Sequence, residues 1–142
     1  MQVEYAFLAD AAQVDRDGKL HALGAGIDRI RSHAFPASHP YLALVVKLQL
    51  HPAECDRRHH LEVELWDPDG RRLGALGADF AAQRQADAPM RPVFAQLVFN
   101  FVNQQFPVHG DYAFHILVDG QHLKEMPLYL EELATPGPGK QG

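Results

Sequence analysis

Cysteine is nearly absent. Cys55 is the only one in 142 residues, so no disulfide can close within the chain, and a reducing, cytoplasmic setting is expected. Hydroxyl nucleophiles are almost as scarce: Ser32, Ser38 and Thr135 are the whole Ser/Thr set. Neither serine stands in a Gly-x-Ser-x-Gly turn, which excludes serine-hydrolase chemistry of that type. Long apolar runs are missing too. The purest, Leu42 to Val46, is far shorter than the about 20 residues a membrane helix needs. The opening Met1-Gln2-Val3-Glu4-Tyr5 has neither the basic nor the apolar region of a signal peptide. Secretion and a membrane partner are not expected.

A concentrated positive field is likewise lacking. The chain carries 13 Lys and Arg against 18 Asp and Glu, a net charge of −5. Arg29, Arg31, Arg57, Arg58, Arg71 and Arg72 are dispersed in pairs rather than gathered on one element. Nucleic acid is therefore not an expected partner, because phosphate binding needs clustered cations. Metal-ligand spacing is absent as well. His59 and His60 are adjacent and on a strand point to opposite faces, while His51, His109 and His122 fit no His-x-x-x-His or Cys-x-x-Cys pattern. Gly24-Ala25-Gly26 lacks the third glycine and the following helix of a dinucleotide loop. No metal and no other cofactor is expected. Cys55 has histidines and arginines close by in sequence, but no oxyanion site can be named beside it. A free thiol in a polar surface loop is the expectation.

What the sequence does contain is a two-residue period. Leu42, Leu44, Val46, Leu48 and Leu50 recur at alternate positions, as do Leu61, Val63 and Leu65, then Val93, Ala95, Leu97, Phe99 and Phe101, then Tyr112, Phe114, Ile116 and Val118. That is the signature of strands with one buried face. The runs end at Asp15-Arg16-Asp17-Gly18, Asp67-Pro68-Asp69-Gly70 and Asp119-Gly120, where glycine tolerates the positive φ of a hairpin turn. Strands are expected near 3–9, 19–24, 26–31, 41–50, 59–66, 71–81, 93–103, 112–118 and 122–130. One or two of these are dispensable, leaving about eight. The alanine-rich stretch from Leu73 to Ala88 also suits a short helix or a loop, and Pro127 implies an edge strand.

With 46% hydrophobic residues and no long amphipathic helix, the pattern predicts an all-β fold: a two-sheet antiparallel β-sandwich, immunoglobulin-like or related. Residues 1–134 form the single domain, and residues 135–142, Pro- and Gly-rich, a disordered tail. His109-Gly110-Asp111-Tyr112 resembles the tyrosine corner of immunoglobulin-like sandwiches. Phe114 stands where antibody domains carry a cysteine, so the likeness is to disulfide-free relatives.

A wider resemblance rests on Val3-Glu4-Tyr5-Ala6-Phe7-Leu8-Ala9-Asp10-Ala11-Ala12, Asp17-Gly18-Lys19-Leu20, Leu23-Gly24-Ala25-Gly26-Ile27-Asp28-Arg29-Ile30 and Phe35-Pro36. Leu42-Ala43-Leu44-Val45-Val46 and the segments Gly110-Asp111-Tyr112 and Val118-Asp119-Gly120 extend it. From residue 3 to about 130 the chain resembles an uncharacterised bacterial family of small β-sandwich proteins, a domain of unknown function. The resemblance implies the fold and no activity. Gly24, Gly26 and Pro36 read as backbone-geometry positions.

The chemistry leaves a non-catalytic interaction or scaffold module, not an enzyme, acting through an exposed sheet face on a protein partner or a second copy of itself. The candidate face is Ala43 and Val45 on one strand, Phe94, Gln96, Val98 and Val102 on another, and His115 and Leu117 on a third. It requires those strands to be neighbours, and a loop folded over it, such as Leu73 to Met90, would bury it. The alternative is a small-molecule or carbohydrate-binding sandwich with Trp66, on one strand face with Glu62 and Glu64, as a stacking platform, and a hydrolase ranks below both.

Overall fold

A computed structural model describes residues 1–134. The tail expected to be disordered lies outside the described residues. The strands are β1 (Gln2–Ala9), β2 (Ala11–Val14), β3 (Leu20–Leu23), β4 (Arg29–Ser32), β5 (Ala37–Leu50), β6 (His59–Trp66), β7 (Arg72–Phe80), β8 (Val93–Phe106), β9 (Gly110–Val118) and β10 (Gln121–Glu132). One 3-10 turn, Pro52–Glu54, interrupts them, and the described residues contain no α-helix.

The fold is all-β, but its arrangement departs from the sequence expectation. Among the described residues ten strands replace about eight, and they form three sheets: β1-β5-β8, β4-β10-β9-β6-β7, and the two-stranded ribbon β2-β3. Pairing is not wholly antiparallel either, since β4 runs parallel to β10 through Arg29 to Ser32. β2 escaped detection because four residues that include two alanines carry little strand signal. The stretch from Leu73 is strand as far as Phe80. Its register against β6, with Leu76, Ala78 and Phe80 packed on the core, overrides the helix propensity of alanine. Pro127 lies on an inner strand rather than an edge. β4 reaches only Tyr129 to Glu132, so Pro127 sits just before that pairing begins.

The alternating stripes meet where they were expected to. Leu42, Leu44, Val46, Leu48 and Leu50 of the three-stranded sheet pack with Leu61, Val63, Leu65, Phe114, Ile116, Leu128 and Leu130 of the five-stranded sheet in one core. Each fully buried aliphatic chain contributes about 1.5–3 kcal/mol. Phe101 and Phe114 meet edge to face across the two sheets at 5.2 Å between ring centroids, and Phe106 meets Tyr112 likewise at 5.1 Å.

Two hairpins share one turn chemistry. In Asp15-Arg16-Asp17-Gly18-Lys19 the Asp15 carboxylate accepts the N–H groups of Asp17 and Lys19, and Gly18 takes φ +82° while donating to the Asp15 carbonyl. Asp67-Pro68-Asp69-Gly70-Arg71 repeats every one of these bonds, with Gly70 at φ +80°. The aspartate side chain satisfies turn donors that have no ladder partner, which is why Asp opens both turns.

Tyr112, at the start of β9, is fully buried. Its hydroxyl donates to the Val108 carbonyl at 2.7 Å and accepts the Val108 N–H at 3.2 Å. The hydrogen-bond pattern of a tyrosine corner is thus present. Burial raises the phenol pKa above its ordinary value of 10, although the Val108 bond opposes the shift.

Candidate functional site

The outward face of the β1-β5-β8 sheet is built from cross-strand rows. Tyr5, Lys47 and Gln96 form one, Phe7, Val45 and Val98 the next, Ala9, Ala43 and Asn100 the third, and Tyr41 with Val102 the last. The Tyr5 hydroxyl hydrogen-bonds Gln96. The Lys47 ammonium lies over two rings, 4.7 Å from the centroid of Phe94 and 5.5 Å from that of Tyr5. Its aliphatic stem covers apolar surface while its charge meets two aromatic faces.

The middle of this face is closed. Val45 is 0% exposed and Ala43 is buried, yet neither joins the cluster packed between the two larger sheets. The β2-β3 ribbon supplies the cover: β2 packs against β5 and β8, and Ala12, Val14, Leu20 and Ala22 form its half-buried side. Gly24 and Gly26, at φ +62° and +91°, fold the chain back so that Gly26 and Ile27 donate to the Leu8 carbonyl. The anticipated cover was a loop between Leu73 and Met90; the ribbon does the covering instead. The sequence does contain the signal for it, because Leu42-Ala43-Leu44-Val45-Val46 has no polar residue in either register.

The expected interface is therefore divided. Ala43 and Val45 are unavailable. Phe94, Gln96, Val98 and Val102 remain together on β8. His115 and Leu117 lie on β9, in the five-stranded sheet, and cannot extend the face. At the two ends of β8, beyond the ribbon, large apolar groups stay exposed: Phe94 is 45% exposed at one, and Val102 is 56% and its partner Tyr41 64% exposed at the other. Among the described residues β8 pairs with β5 alone and is the edge of its sheet over 14 residues. Asn103, at φ +50°, distorts it opposite Pro40, which has no N–H to donate. The ribbon also bears a shallow open groove of about 520 Å³, lined by Ala11, Gln13, Leu20, His21 and Leu23 among others.

The outward face of the five-stranded sheet is polar. Trp66 donates its indole N–H to Glu64, which also receives Arg72 at 2.9 Å, and the His115 ring lies 5.4 Å from the indole. Burial pushes the Glu64 carboxyl up, but the Arg72 and Trp66 bonds outweigh it and hold the pKa below the usual range. Leu117 is the cross-strand neighbour of Glu62.

Residues 4–131 match the model of a family of unknown function, DUF6941. The chain belongs to that family. No curated protein matches it. The DUF6941 match covers every strand from β2 to β9 and most of β1 and β10, so the core, the ribbon and the β8 edge all lie within it.

Within this DUF6941 chain the Cys55 region differs from expectation. Cys55 is 6% exposed and part of the core, not a surface thiol. A capping box at the 3-10 turn explains it. The His51 ring accepts the Ala53 N–H, Glu54 accepts the His51 N–H, and the tightened turn directs Cys55 inward. His59 is turned inward and His60 outward, as adjacent strand residues must be, and they bond different carboxylates: Asp119 and Asp79. Both nitrogens of His59 are engaged, so it cannot serve Cys55 as a base. Among the described residues no three His, Cys, Asp or Glu side chains converge as a metal-ligand group.

Proposed function

We propose that this domain is a non-catalytic protein-interaction module that docks a protein partner, a second copy included, along β8. The observation that carries the reading is the combination on one strand of an unpaired 14-residue backbone edge with exposed Phe94 and Val102. Natural sheets shield such edges with charge, brevity or a covering element, because an open ladder recruits another strand. β8 carries no charged residue from Val93 to Phe106. Strand addition supplies main-chain hydrogen bonds, and alternate side chains such as Phe94 and Val102 supply selectivity.

The architecture that presents this strand is best described as an immunoglobulin-like sandwich variant. Support comes from the single core shared by the two larger sheets and from the Tyr112 corner. A lone, buried, unpaired thiol suits a reducing compartment such as the cytoplasm.

Phe94→Asp with Val102→Asp tests the proposal, since both positions are exposed and lie outside the core. Oligomeric mass by light scattering and recovery of co-purifying proteins are compared with the wild type. Loss of either association by tenfold or more, with an unchanged circular dichroism spectrum, is expected. A monomeric wild type whose partners are recovered equally well by the double variant overturns it.

A further inference from the structure

The hairpin formed by β9 and β10 brings together two histidines that no local motif connects. His115 Nδ1 and His122 Nε2 lie 2.9 Å apart, with ring centroids at 5.0 Å and an interplanar angle of 61°. The irregularity of the β9–β10 register between His122 and Lys124 aligns the rings diagonally across the strands. We propose that this pair is a two-nitrogen chelate for a divalent ion of the copper(II) class, with water completing the coordination.

The donor type selects the metal. Imidazole nitrogen suits copper(II), which heads the affinity order of the divalent ions for nitrogen sites. The nitrogens now face each other as donor and acceptor. The exposed His122 ring needs only to rotate for its lone pair to converge with that of His115 on one ion.

The surroundings suit a cation. Glu125 Oε1 lies 3.9 Å from His115 Nε2, the nitrogen turned away from the pair. At that distance the carboxylate makes no hydrogen bond to the ring, but its negative charge favours a cation nearby. Trp66 flanks His115 and restricts its ring. Glu64 stands on the neighbouring strand opposite His115, its charge shared with Arg72. The His115 side chain is partly exposed, so an ion reaches it from solvent without any movement of the backbone. The other paired histidines are already committed: His59 to Asp119 and Glu54, His60 to Asp79. Sequence spacing hid this pair because the two residues are brought together by the Asp119-Gly120 turn and the register irregularity, not by a helical or strand repeat.

Titration of the untagged chain with copper(II), followed by calorimetry and electron paramagnetic resonance, tests the proposal. One ion per chain with splitting from two nitrogens is expected, together with zinc binding at least tenfold weaker. His122→Gln and His115→Gln, which retain hydrogen-bonding side chains on the hairpin, are each expected to weaken copper binding at least tenfold and to abolish the two-nitrogen signature. Unchanged binding in either variant, a spectrum with a single nitrogen, or no stoichiometric binding to the wild type overturns it and leaves the pair as a hydrogen bond between imidazoles.

Discussion

The His59 imidazole is held between the Asp119 carboxylate, 2.6 Å from Nδ1, and the Glu54 carbonyl, 2.7 Å from Nε2, while its ring stacks on Phe80. Both nitrogens face acceptors, an arrangement satisfied in full only by the doubly protonated ring. His59 is 3% exposed, and burial by itself lowers its pKa. The Asp119 and Glu54 bonds raise it by more, leaving it above the ordinary histidine value of 6.5. Asp119 is shifted the opposite way, below 3.8, chiefly by its bond to His59.

The two shifts define a pH window. A raised histidine pKa stabilises the fold fully below pH 6.5, and that contribution is lost as pH rises through the folded value. The depressed Asp119 pKa contributes above pH 3.8 and is lost as pH falls through its folded value. Asp119→Asn is a clean probe, because asparagine also accepts the left-handed backbone at φ +51°. Urea unfolding is expected to show a loss of about 1–2 kcal/mol near pH 5.5 and a smaller loss at pH 8.5. Equal losses at both pH values would sink the charged-imidazole assignment.

Tyr112→Phe removes the hydroxyl that bridges both backbone groups of Val108 and leaves the ring packing intact. A destabilisation of about 1–2 kcal/mol is expected from denaturant unfolding, with the native circular dichroism spectrum preserved. A cost below 0.3 kcal/mol, on the order of measurement error, would mean that water replaces the hydroxyl without penalty.

Cys55 is expected to react with a thiol reagent at least tenfold faster in denaturant than in the native state, because its thiol is packed into the core. Cys55→Ser should cost about 1–2 kcal/mol by placing a hydroxyl among apolar neighbours, partly offset by the His51 carbonyl that the thiol now faces. Equal labelling in both states contradicts the burial.

Gly24 joins the ribbon to the rest of the chain at φ +62°, and a Cβ there would run into the Asp10 carboxylate. Gly24→Ala should destabilise by at least about 1–2 kcal/mol through backbone strain alone. Hydrogen exchange should localise the loosening to residues 11–23 and to the strand segment around Ala43 and Val45 that the ribbon covers. Uniform loosening of every strand would argue against the ribbon as a separate cover.

Much of the fold was legible from residue type and order. Alternation placed the core faces of β5, β6, β8 and β9, because a two-residue period has one physical realisation. Asp-x-Asp-Gly and Asp119-Gly120 placed three hairpins, because positive φ next to a side-chain acceptor is a local demand. That no disulfide can close within the chain likewise follows from its single cysteine, Cys55. The candidate face was only half legible. Phe94 and Val102 were assigned to the outward side of β8, where they remain exposed, but Ala43 and Val45 were assigned to the same accessible surface.

What the order of residues determined by itself was which side of each strand turns to the core and where the chain reverses. Both follow from interactions between residues a few positions apart. Only the tertiary structure decided which strands are neighbours: that β9 leaves the face shared by β5 and β8, that β4 pairs in parallel with β10, and that a four-residue hairpin arm closes over Val45. These pairings join segments tens of residues apart, and alternation along one strand is the same whichever partner lies beside it or above it. Cys55 belongs with them, since a polar sequence neighbourhood was outweighed by one tight turn that points its thiol into the core.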